Sequence, residues 1–91
     1  MEYYLIENDR YFAIVEDYVL AKIKRLNKPN DVYGLFTIKK LRDDDNWDNI
    51  INNIHATTNR RYICMEDEEE IRDYGFVLNR QRGEYYDSFT I

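Results

Sequence analysis

The sequence predicts a small single α+β domain over residues 1–91, with a mostly antiparallel sheet and two or three short helices on one face, in the order ββαβαβαββ. Three observations carry that prediction. Ninety-one residues allow one small domain. A composition of 44% hydrophobic and 34% charged residues is that of a globular chain rather than a disordered one. Short runs of β-branched and aromatic residues alternate with segments of helical spacing, and turn-forming residues stand between them.

The segment EYYLIENDRYFAIVED allows two readings. One is a single helix capped by Asp9 and running to Leu26, with Phe12, Val15, Val19, Ile23 and Leu26 at helical spacing. The other is a hairpin of strands 3–7 and 10–15 around the turn pair Asn8-Asp9. The β-branched and aromatic content up to Val15 favours the hairpin. A helix from about Asp17 to Leu26 then keeps Val19, Leu20, Ile23 and Leu26 on one face. Pro29, the only proline, marks a loop. Residues 32–38, VYGLFTI, read as a buried strand bounded by PND and by Lys39-Lys40. Trp47, Ile50, Ile51 and Ile54 follow at i, i+3, i+4 and i+7, an amphipathic helix that begins near Asp44 or Asp45 and ends at ATTN. Residues 60–65 read as a strand, and EDEEEIRDYG as a short helix with Gly75 as its C-terminal cap. FVLN and EYYDSFTI form a final hairpin that turns at Gly83.

Charge is segregated along the chain. The total is −5, but residues 16–42 carry net +4 and residues 43–76 net −7. Ten carboxylates make up the acidic third: Asp43, Asp44, Asp45 and Asp48 in one cluster, and Glu66, Asp67, Glu68, Glu69, Glu70 and Asp73 in the other. Both clusters stand where helices begin, and there acids complement the helix dipole and cap free N–H groups. Five consecutive acids exceed what a cap requires, and the pairs Asp44/Asp48, Glu66/Glu70 and Glu69/Asp73 lay like charges along one helix face. These ten residues are therefore the candidate partner-binding set, and the expected partner is a basic protein surface. A row of carboxylates can occupy a nucleic-acid groove in place of phosphates, with tyrosines and Trp47 adding contact area.

Several activities are set aside. Net acidity argues against direct nucleic-acid binding. The basic stretch 22–42, with Tyr33 and Phe36 between its two clusters, is the one segment that could touch RNA or DNA; lysines lying over a core face are the plainer reading. His55 and Cys64 are the only His and Cys, so neither a disulfide nor a structural zinc site is available from the chain alone. Cys64, between Ile63 and Met65, reads as a small buried hydrophobe rather than a nucleophile. Asp44, Asn46 and Asp48 match the start of a calcium loop, but Asn49 stands where the glycine belongs and His55 where the bidentate Glu belongs. The glycines are isolated, and Ser88 has no base in view. No cofactor, metal or catalytic residue is expected. The N-terminus lacks a signal peptide and no apolar run approaches the length of a membrane span, so the expected location is the cytoplasm.

In size, acidity, AT-rich residue usage and lack of an active-site motif the chain resembles the small acidic proteins that phages and mobile elements encode against host defence, among them anti-CRISPR and anti-restriction proteins that mimic DNA. The resemblance implies a non-enzymatic inhibitor. Two other readings are a self-associating structural or regulatory module, through opposed charges or the edge strand EYYDSFTI, and a small metal-dependent enzyme.

Overall fold

The stretches YYLIE and YFAIVE carry apolar residues at nearly every position, as strands covered on both faces do. The computed structural model describes residues 2–27 and 36–77, and in it these stretches are β1 (Tyr3–Glu7) and β2 (Tyr11–Glu16), the two central strands. They pair antiparallel from Tyr3↔Glu16 to Glu7↔Phe12. The hairpin is thus as expected, but its two loop residues are Asp9 and Arg10. Asn8 is drawn into the pairing: its N–H donates to the Tyr11 carbonyl at 2.9 Å, and its Oδ1 accepts from the N–H groups of Arg10 and Tyr11.

The chain continues through α1 (Asp17–Leu26), β3 (Thr37–Lys40), α2 (Trp47–Thr57), β4 (Arg61–Tyr62) and α3 (Glu68–Asp73). The sheet order is β3-β1-β2-β4; β3 pairs antiparallel with β1, and β4 pairs parallel with β2. This is an α+β architecture on a mixed sheet. The first seven elements follow the expected order. Of the strand expected at 32–38, residues 32–35 lie outside the described residues, and the pairing runs on through Lys39 and Lys40 instead of stopping before them. β4 is shorter than 60–65. The expected final hairpin lies outside the described residues apart from Phe76 and Val77, which are not in a strand.

Strands β2, β3 and β4 all point one way, and each is followed by a helix. The crossover from β2 to β3 runs one way across the sheet, and that from β3 to β4 runs back. Crossovers of one hand then place α1 and α2 on opposite faces. The core divides accordingly. Ile6, Ala13 and Val15 pack with Val19, Ile23, Ile71 and Phe76 on the side of α1 and α3. Leu5 and Phe12 pack with Leu41 and Ile54 on the other side, flanked by Ile50 and Ile51 of α2. Two helices share a face as expected, but α2 covers the opposite one. No helix among the described residues is long and apolar enough to cross a membrane.

Two buried asparagines fasten the exit of α3. Asn8 Nδ2 donates to the Tyr74 carbonyl at 2.9 Å, and Asn27 Nδ2 donates to the Ile23 and Phe76 carbonyls at 2.7 and 3.1 Å. Gly75, at φ +85°, closes α3 as expected: its N–H donates to the Arg72 carbonyl while that of Phe76 reaches Ile71, the paired bonds of a Schellman cap.

Candidate binding surface at the carboxyl end of the sheet

β2 and β3 end together beside the start of β1; β4 pairs with the start of β2, and residues 63–66 carry the chain on to the same end, where Glu66 lines a groove with Glu16 and Trp47, so the N-termini of all three helices gather there. The acids come with them: Glu16 and Asp17 at α1, Asp43, Asp44, Asp45 and Asp48 around the start of α2, and Glu66 to Glu70 at the start of α3. The opposite end carries Arg10 in the hairpin loop, Lys24 and Arg25 in the last turn of α1, Arg60 before β4 and Arg61 at its start, and Arg72 in the last turn of α3, together with the acids Glu7 and Asp9. The acids gather at one end, but the bases do not all take the other: Lys22 donates to the Glu66 carbonyl, Lys40 pairs with Glu2 and Arg42 faces Asp44 at the acidic end. Asp73 is the exception within the candidate set. It belongs to the other end, where it lines an open polar cavity with Asn8, Asp9, Arg10, Tyr11, Tyr74 and Gly75.

Some of the candidate carboxylates have local work. Asp67 caps α3, accepting from Glu70 N–H at 2.9 Å, while Glu70 Oε1 accepts from the N–H groups of Glu66 and Asp67, completing a capping box. Asp45 accepts from Arg42 N–H at 2.7 Å and closes the turn before α2. The cap of α2 is neither Asp44 nor Asp45 but Asn46, whose Oδ1 accepts from Asn49 N–H, so the helix starts at Trp47. Arg42 faces Asp44 at 3.8 Å, and Arg72 reaches Glu68 at 3.5 Å; both pairs are exposed and contribute little. Asp43, Asp48 and Glu69 are exposed and make no hydrogen bond or ion pair among the described residues.

A groove of about 260 Å³ runs across the end of the sheet between Trp47 and Glu66, the one candidate carboxylate that lines it. Trp47 lines it from α2, Glu66 and Cys64 from the segment before α3, and Tyr3, Glu16 and Tyr18 from the strand ends and α1. The Tyr3 and Trp47 rings meet edge to face, with centroids 4.7 Å apart. Partial desolvation, then the nearby Glu66 and Glu16 carboxylates, hold the Tyr18 hydroxyl above the usual tyrosine range. At the rim, Lys40 pairs with Glu2 at 3.0 Å; this contact and the Tyr4 hydroxyl pull the Glu2 carboxyl below its usual range.

Two expectations are corrected here. Cys64 is exposed in the groove, not buried: its neighbours Ile63 and Met65 take the two core positions, and alternation turns Cys64 outward. Phe36 is 3% exposed and meets Phe76 edge to face, so it is a core residue rather than a platform for a base; Tyr33 lies outside the described residues. His55 sits against Phe12, about 12 Å along α2 from Trp47 at the helical rise, which separates it from the groove that holds Cys64. The oxygens of Asp45 and Asn46 serve their own backbone, and no group of three or more His, Cys, Asp or Glu among the described residues could hold a metal ion. Sequence reasoning passed over Glu16 and Tyr18, which belong to the basic third of the chain and join the acidic end only through the topology. Comparison with known proteins finds no matching family model, curated protein or solved structure.

Proposed function

We propose that the chain is a non-enzymatic binding protein whose acidic end docks on a basic surface of a nucleic-acid-handling protein, with carboxylates in the places of phosphates. The observation that supports this reading is the gathering of both acidic stretches at one end of the sheet. Asp43, Asp48 and Glu69 there have no internal partner among the described residues. Capping explains Asp45, Asp67 and Glu70, but not these three. The small size, acidity and residue usage fit an inhibitor carried by a phage or mobile element against a host defence enzyme.

The test is affinity capture with the immobilised chain at low salt, followed by elution with duplex DNA. The reading predicts a captured nucleic-acid-binding protein that DNA displaces. It also predicts loss of capture in the variant Asp43→Lys/Asp48→Lys/Glu69→Lys, which stays folded with melting lowered only by the reversed first-turn charges at positions 48 and 69. Capture that DNA does not displace, or that survives the three reversals, contradicts the reading. The arginine-bearing opposite end favours a second reading, head-to-tail association of copies. That reading predicts a mass that rises with concentration in sedimentation and falls with salt.

A further inference from the structure

The groove between Trp47 and Glu66 has the chemistry of a cation receptor. Aromatic faces from Trp47 and Tyr18 stand on its walls, both side chains more than a third exposed, and the Glu16 and Glu66 carboxylates lie between elements that converge there. Glu16 holds the N-cap position of α1, yet its side chain makes no capping hydrogen bond. Lys22 Nζ already lies over one face of the Tyr18 ring, 5.6 Å from its centroid, and donates to the Glu66 carbonyl at 2.9 Å, beside the groove without lining it, which leaves an incoming cation the other face of Tyr18. A volume of about 260 Å³ has room for one long side chain.

We propose that this groove receives an arginine side chain of the protein partner, its guanidinium stacked on the Trp47 and Tyr18 rings and hydrogen-bonded to the Glu16 and Glu66 carboxylates. A planar guanidinium stacks on an aromatic face and offers a fork of donors to carboxylates; a lysine ammonium, compact and strongly hydrated, does neither as well. The inference rests on the reading of the acidic end as a docking surface and names the residue that this surface takes in.

Trp47 is the only tryptophan, so its fluorescence reports on the groove directly. The full chain is titrated with acetyl-Gly-Arg-Gly-amide and with the same peptide carrying citrulline, which keeps the shape and loses the charge. The expected result is a saturable change with the arginine peptide and at least about tenfold weaker binding of the citrulline peptide. The Glu16→Gln/Glu66→Gln variant, and separately Tyr18→Leu, should each weaken arginine binding about tenfold or more with melting unchanged. Absence of a saturable change, or equal response to citrulline, overturns the proposal. Its failure is distinct from failure of the docking reading: DNA-displaced capture that is lost in the Asp43/Asp48/Glu69 reversals would stand while the arginine pocket falls.

Discussion

Asn8 ties the hairpin to the exit of α3 and to the segment before β4. Its side chain accepts two hairpin N–H groups and donates across the molecule to Tyr74, and its carbonyl accepts from Arg60 Nε at 2.6 Å. Replacing it with alanine leaves two donors and an acceptor unsatisfied at a site 7% exposed, so Asn8→Ala should lower stability by about 2–4 kcal/mol in chemical denaturation. Gly75 lies against the same side chain. At φ +85° an L residue is strained, and a Cβ would stand 3.3 Å from Asn8 Nδ2. Gly75→Ala should cost about 1–2 kcal/mol in the same measurement. Gly75 was legible as a cap because an isolated glycine followed a helical run. Asn8 was legible only as a turn residue, since its partner Tyr74 is 66 positions away and no local pattern encodes that contact.

At the level of elements, the carboxylates of α3 divide into those that hold the helix and those that do not. Asp67→Ala removes one half of the capping box and should destabilise by about 1 kcal/mol. Glu69→Gln touches no cap or ion pair and should change stability by no more than about 0.5 kcal/mol. Thermal melting of the two variants side by side checks the division. Helix α1 was readable in full because its apolar spacing and flanking residues agree. The end of β3 was misjudged because Lys39 and Lys40 are exposed and extend the pairing past the apolar run, and a search for apolar runs stops where the lysines begin. The position of α2 was misjudged too, although a signal was present. The strands YYLIE and YFAIVE lack the polar alternation of a one-sided sheet, and that lack implies a helix on each face.

Over the whole molecule, the topology sorts charge. Three strands that run one way lead into three helices that start at one end, and acids suited to helix starts accumulate there, while Lys24, Arg25 and Arg72 stand in last turns toward the other. Along the sequence this was visible as an acidic third and a basic third; that both acidic stretches share an end, while Asp73 does not, depends on strand order, which composition cannot supply. The central claim is that the carboxylates left over from capping bind a basic partner. The most direct measurement is the affinity of the captured partner for the wild-type chain and for Asp43→Lys/Asp48→Lys/Glu69→Lys, by calorimetry at about 50 mM and about 500 mM salt. The account predicts binding that weakens at least about tenfold over that range for the wild type and is lost in the variant at either salt. Equal affinity for the two proteins, unchanged by salt, would contradict it.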